Sequence, residues 1–390
     1  MKTLSSTGFE LLLQRGPFQN NGATPWYCEL GIGTPAQTLK MCFDTGSNFN
    51  WVTSSLCAEN SCMHYADAQF NLSASSTLER VSTESQSVSF GPWGTMQVEI
   101  GKDKLSLSQS THCDALFVDL FLAKEYSGLQ FEALDWDGGI GLPSSQNSLN
   151  RPVLSGTPFR LHQSNAEQDT EFHFFLQLVQ MGLVSERNPY ITFLTPSADD
   201  TSLGRIGFGR LDHSYASSLE YIFLPWSCYQ QEASYLWSAS GASIRVDGQI
   251  ISADMFFSLD SGSSQFKGDE SVLSQIYNLS TRGNPLISIT LLDNAGLEYG
   301  ELEISSDIYK CKIEAGEKKG QIISQFQGLS GADNMLLVGS VLMDHLYTVY
   351  EYDVVSDNKI QPKGVWIFNK HAGPQIIKTK QTAPALIFRN

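Results

Sequence analysis

Two four-residue segments of this 390-residue chain could do chemistry together: Asp44-Thr45-Gly46-Ser47 and Asp260-Ser261-Gly262-Ser263, which begin 216 residues apart. One such segment alone reads as an ordinary polar turn at a strand end. Two say more, because each follows an apolar run and each lies in its own half of the chain. The runs are Met41-Cys42-Phe43 and Met255-Phe256-Phe257-Ser258-Leu259. Two carboxylates brought face to face share a proton, since negative charges about 3 Å apart cannot both form cheaply. The ionised member can then take a proton from water while the protonated member polarises a carbonyl. That suffices to hydrolyse an amide without a metal or a nucleophilic side chain.

The neighbouring residues suit these roles. Gly46 and Gly262 leave room for two loops to approach backbone to backbone, and their N–H groups can donate to the carboxylates. Thr45 and Ser261 offer hydroxyls that can bond across the junction. Ser47 and Ser263 can each reach the outer oxygen of an aspartate. Other chemistries find less support. The histidines (His64, His112, His162, His173, His213, His345 and His371) form no H-E-x-x-H pair, and no G-x-S-x-G elbow is present. Cys113 beside His112 is adjacency in sequence, for which a buried thiol is the default. Gly31-x-Gly33 lacks the third glycine of a dinucleotide loop.

Elements that could position such loops are mostly strands. A hairpin is predicted from Trp26–Ile32 and Leu39–Phe43 around Gly33-Thr34-Pro35-Ala36-Gln37. Further β-rich stretches are Val88–Leu107, Tyr190–Gly209, Gly241–Ile251, Leu286–Ile289, Leu336–Asp353 and Gly364–Asn369. Helices are expected at Glu171–Met181 and Asp269–Ile276, and Pro143–Asp169 reads as a long surface loop. The halves echo one another, with Ile140-Gly141-Leu142 following the first aspartate and Leu337-Val338-Gly339 the second. The fold class expected is all-β and mainly antiparallel, in two lobes of residues 1–212 and 213–390.

Composition fits that picture. Hydrophobic residues make up 41% and aromatic residues 11%, enough for buried cores, whereas charged residues reach only 17%. The net charge of −16 argues against nucleic acid and anionic membrane as partners. No stretch approaches a membrane span. The N-terminus has no apolar run beyond Leu11-Leu12-Leu13, so it does not read as a secretory leader, and the compartment stays open. Seven cysteines leave at least one unpaired in the chain. Cys57 and Cys62 are the best local disulfide candidates, with a free thiol pair as the alternative. A bridge between Cys28 and Cys42, on the two strands of the hairpin, would be strained.

Taken together these residues resemble the pepsin family of two-lobed aspartic endopeptidases. The likeness runs from Gly31-Ile32-Gly33-Thr34-Pro35-Ala36-Gln37 through Asp44-Thr45-Gly46-Ser47, then Asp137-Gly138-Gly139-Ile140-Gly141-Leu142, Gly182-Leu183-Val184-Ser185, Ile206–Gly209, Asp260-Ser261-Gly262-Ser263 and Leu337-Val338-Gly339-Ser340. It implies Asp44 and Asp260 as the catalytic pair, Trp51 as the tryptophan behind a mobile flap, and Cys57–Cys62 as a small disulfide loop. It also implies a monomer without a cofactor or metal. Its substrate would be a peptide or protein with apolar residues around the cut, and statine-type (pepstatin-like) compounds would inhibit it.

The chain departs from the family pattern in places. The flap hairpin is Ser89–Met96, where Phe90 stands for the usual tyrosine; alternatively Phe90 is an ordinary strand residue and Trp93 caps the cleft. The cleft would be covered by this hairpin, with Gly94 and Thr95 at its return. Cys42 and Trp136 fall at positions that line the first substrate pocket. Cys311 has no evident partner for the family's late disulfide. Only 25 residues precede Trp26, with no room for the usual basic prosegment, as in some leaderless bacterial members. A pepsin-like fold kept as a binding or inhibitory module, with weak catalysis, is the competing expectation.

Overall fold

The structure is a computed structural model that describes residues 8–58, 61–62, 68–89, 94–107, 116–128, 131, 134–145, 173–196, 202–292, 298–356 and 359–389. Strands dominate, arranged in a thirteen-stranded sheet, a seven-stranded sheet and a two-stranded ribbon. The predicted hairpin forms from Trp26–Ile32 and Gln37–Asp44, with Cys28 opposite Met41. Successive side chains alternate faces along a strand, so Cys28 and Met41 share one face and Cys42 points to the other. Both cysteines are buried and no bridge joins them. Cys57 and Cys62 are bonded, with their Cα atoms 5.8 Å apart. Cys113 lies outside the described residues.

The internal echo in the sequence is a repeated three-strand arrangement. In the first half, Gln37–Asp44 runs parallel to Gly138–Gly141, which pairs antiparallel with Asn50–Thr53 on its other side. In the second, Gln249–Leu259 runs parallel to Met335–Val338, which pairs antiparallel with Phe266–Asp269. In each case the crossing strand separates the strand entering the aspartate loop from the strand leaving it. The loop is thereby pinned on both flanks by backbone hydrogen bonds.

Several elements differ from the sequence expectation. The helix expected over Asp269–Ile276 runs as Glu270–Arg282, six residues further than expected. Its start is capped by the Asp269 carboxylate, which accepts from the N–H groups of Ser271 and Val272. Val272, Leu273, Ile276 and Ser280 form its buried stripe, and Gly283 closes it. The other expected helix is Phe174–Gln180. The stretch Leu336–Asp353 is not continuous strand, because a one-turn helix, Ser340–Met343, precedes the strand Leu346–Ser356. Leu116–Ser127 is a long strand that the sequence reading passed over. Most of Pro143–Asp169 lies outside the described residues.

Leu11-Leu12-Leu13 belongs to the strand Phe9–Arg15. Leu11 and Leu13 are buried while Leu12 is exposed. This strand joins Gly204–Phe208 and Tyr190–Leu194, which pair on to Leu346–Ser356, Lys359–Asn369 and Tyr221–Pro225. Strands from both ends of the chain thus share one sheet. A continuous apolar core runs beneath it, with Phe43, Phe174 and Phe208 in mutual ring contact below the first aspartate loop.

Candidate active site

Both aspartates sit where a buried apolar strand gives out into a tight polar turn. The two turns interlock through reciprocal hydrogen bonds. Thr45 N–H donates to Ser261 Oγ at 3.0 Å, and Ser261 N–H donates to Thr45 Oγ1 at 2.9 Å. Each hydroxyl then donates to a backbone carbonyl of the opposite strand, Thr45 to Leu259 at 3.1 Å and Ser261 to Phe43 at 2.7 Å. Four direct bonds hold the loops at fixed separation. Gly46 faces the Asp260 carboxyl and Gly262 the Asp44 carboxyl, so closely that a Cβ at Gly262 would lie 2.3 Å from Asp44 Oδ1.

The carboxyls also receive local donors. Gly46 N–H reaches Asp44 Oδ1 at 2.8 Å and Gly262 N–H reaches Asp260 Oδ1 at 2.9 Å. The Ser263 hydroxyl donates to Asp260 Oδ2 at 2.7 Å, and the Ser47 hydroxyl bonds the Asp44 carboxyl. Burial, followed by the charge of Asp260 and a hydrogen bond between the two carboxyls, raises the Asp44 pKa well above the ordinary carboxylate range. Asp44 therefore holds its proton at a pH where a separate carboxyl would have released it.

A cleft with about 250 Å³ of water-accessible space opens onto both aspartates. One wall is aromatic: Phe49, Trp51, Phe131 and Trp136 line it, with the Trp51 and Trp136 rings 5.8 Å apart. The facing wall comes from the second half and includes Tyr235, Leu236 and Leu337. Trp136 is fixed by its indole N–H, which donates to Thr24 O at 3.1 Å. Trp136→Phe should keep the wall and lose that bond, leaving a buried carbonyl unpaired. The expected cost is about 1–2 kcal/mol of unfolding free energy in a urea titration, and an unchanged midpoint would mean the bond contributes nothing.

The remaining sequence-nominated residues divide. Cys42 is fully buried in the cluster with Trp51 and Trp136, beneath the cleft wall and not among the residues lining it. Trp51 is buried and touches Tyr126 edge-on at 6.0 Å, and the Tyr126 hydroxyl bonds that of Thr53. Phe90 and Trp93, the two flap candidates, lie outside the described residues. Gly94 and Thr95 are described. Gly94 has φ +130°, and a Cβ there would come within 2.0 Å of Ser127 O, so only glycine lets the returning strand pass. Thr95 N–H donates to Ser127 Oγ at 3.1 Å.

The sequence reading missed two kinds of residue. Phe131 and Tyr235 line the cleft, and Tyr126 packs behind Trp51, from segments with no motif of their own. Lys267 is the more consequential omission. It is fully buried behind the second loop, with Nζ 2.6 Å from Gly22 O and 3.4 Å from Ser263 Oγ. Counting from the aspartates could have found it, since Lys267 follows Asp260 at the same distance that Trp51 follows Asp44.

A two-lobed β fold whose interlocked turns present paired aspartates to a cleft defines a pepsin-like aspartic protease. The family model for eukaryotic aspartyl proteases matches residues 25–361, and the chain belongs to that family. It is an aspartic endopeptidase, a hydrolase of peptide bonds. Among its relatives, pepsin-3 of Oryctolagus cuniculus is 30% identical over 341 residues, covering 84% of this chain and 78% of the relative. Pepsin A of Bos taurus is 26% identical over 353 residues, covering 87% and 85%. Pepsin A of Sus scrofa is 26% identical over 354 residues, covering 86% and 80%.

Proposed function

We propose that Asp44 and Asp260 are the catalytic pair and act on a water held between them, in a chain divided near residue 212 into two lobes. The observation that carries this reading is the reciprocal Thr45–Ser261 bonding, which fixes the half-buried Asp44 carboxyl and the buried Asp260 carboxyl face to face at the floor of the cleft. The ionised carboxylate takes a proton from water as its oxygen bonds to the scissile carbon. The protonated partner gives its proton to the carbonyl oxygen, leaving a neutral gem-diol. In the second step the first carboxyl passes its proton to the amide nitrogen as the C–N bond breaks. A diol hydroxyl returns a proton to the second, and the pair ends as it began. No charged intermediate needs external stabilisation.

The aromatic wall gives the cleft its preference, apolar residues beside the cut, because Phe49, Trp51, Phe131 and Trp136 offer no charged group to a side chain. Acidic conditions favour the reaction, since one carboxyl must stay protonated. The test is cleavage of acid-denatured globin from about pH 3 to about pH 7, with and without a statine-type inhibitor. We expect bell-shaped, inhibitor-sensitive cleavage at apolar sites. Folded protein that cuts at no pH would overturn the reading in favour of a binding module.

A further inference from the structure

The two halves place different residues at the same point of the repeated three-strand arrangement. In the first, Phe43 and Asn50 both pair with Ile140, and Trp51 lies opposite Gly139. In the second, Leu259 and Phe266 both pair with Val338, and Lys267 lies opposite Leu337. Trp51 and Lys267 are therefore structural counterparts, each seven residues beyond its aspartate. One half puts a neutral indole there and the other an ammonium. Around an otherwise near-symmetric pair, this substitution is a source of charge asymmetry.

Its wiring has a direction. An ammonium only donates, so Lys267 Nζ gives hydrogen bonds to Gly22 O and to Ser263 Oγ. With its oxygen accepting from lysine, the Ser263 hydroxyl has its own hydrogen aimed at Asp260 Oδ2, 2.7 Å away. Donation of that kind is strongest to an ionised carboxylate. Gly22 also receives Ser264 N–H at 3.0 Å, so the segment before Trp26 straps lysine and aspartate loop together.

We propose that Lys267, acting through the Ser263 hydroxyl, fixes the charge order of the pair, so that Asp260 carries the negative charge in the resting enzyme and Asp44 carries the shared proton. Asp260 is then the group that takes the proton from water, and Asp44 the group that polarises the carbonyl. Lys267 is a positioning residue, since it is fully buried and does not line the cleft. The charges acting on its ammonium are Asp260 first and Asp44 second. The elements packed against it bring Gln327 and Leu337 opposite it and the uncharged segment 19–24 beside it. On its own side, Asp269 is occupied in capping the next helix and Glu270 is exposed. Burial lowers the Lys267 pKa to about 7, so the ammonium persists through acidic conditions and is lost above neutrality.

This inference rests on the catalytic roles proposed above for Asp44 and Asp260, and its test separates the two. The pH profile of kcat/KM for a peptide with apolar residues at the cut would be compared among wild type, Lys267→Met and Lys267→Gln. Without the ammonium Asp260 ionises less readily, so the acid limb should move up by about one pH unit, roughly a tenfold loss on that limb. KM and the activity at the optimum should change by less than about twofold. Superimposed acid limbs, or a uniform fall at every pH, would overturn the proposal by reducing Lys267 to a packing residue. If neither variant folds, ¹³C-carboxyl titration of the wild-type chain decides the matter. Asp260 ionising at lower pH than Asp44 supports the charge order, and the reverse overturns it. Wild type with no statine-sensitive cleavage would be a different failure, that of the aspartate pair itself.

Discussion

Asp44→Asn should lower kcat by about ten-thousand-fold or more, since one carboxyl of a two-carboxyl acid–base pair is removed. It should also raise the melting temperature near neutral pH. The second effect follows from the environment of the side chain. Burial, and then the charge of Asp260, raise Asp44 well above its unfolded value. A group raised in this way contributes its stability fully below the unfolded pKa, and loses it as pH climbs through the folded pKa. Asparagine does not titrate and escapes that loss. It keeps an oxygen to accept from Gly46 N–H, so the local turn has no reason to open. Melts of wild type and variant should therefore nearly coincide at about pH 3 and diverge at about pH 7, with the variant higher. Retained activity would remove Asp44 from the chemistry. Lost activity accompanied by a lower melting temperature at both pH values would mean that the substitution had disturbed the fold instead. The combination of dead and more stable is the signature of a functional group held against its own solvation preference.

How far the sequence could be read depended on whether a feature was local. The aspartate loops were legible because their chemistry sits in four consecutive residues, repeated. The hairpin before Asp44 was legible because turn residues separate two apolar runs. Leu116–Ser127 was not, for a physical reason. It pairs with Thr95–Ser106 on one side and Asn50–Thr53 on the other, and most of its residues are buried on both faces. Burial on both faces erases the alternation that marks a half-exposed strand. The helix Glu270–Arg282 outran its expected end because Asn278, Ser280 and Thr281 are weak helix formers. Tertiary contacts carry it on, with the Ser280 hydroxyl buried against that of Ser324. Cys42 was placed in the pocket wall by position along the chain; strand parity does turn it to the face that carries Asp44, but the depth of the aromatic cluster leaves it buried beneath the residues that line the cleft. Lys267 was passed over for a further reason. A lysine after a polar turn reads as surface, and only folding closes Gly22, Ser263 and the aspartate loops over it.

The most severe single-atom test of the site is Gly262→Ala. The new methyl would lie 2.3 Å from Asp44 Oδ1 and 2.4 Å from its Cγ, in a place where the aspartate is already held by its own turn. It could not rotate away, because Cβ direction is set by the backbone, and the backbone is locked by the Thr45–Ser261 bonds on one side and by Thr24 N–H donating to Gly262 O at 2.9 Å on the other. Either the two loops separate or the Asp44 carboxyl turns out of line. Displacement by about 1 Å costs on the order of a hundredfold in rate, and overpacking adds about 1–3 kcal/mol of destabilisation. Gly46→Ala should do the same from the other side, with its methyl 2.5 Å from the Asp260 carboxyl. Gly283→Ala is the matched control, since nothing lies within 4 Å of a Cβ there. Measured by kcat and by urea unfolding, both loop variants should fall far below wild type while the control stays with it. If Gly262→Ala kept wild-type kcat, the carboxyls would not need this close approach, and a shared proton could not be the basis of the mechanism.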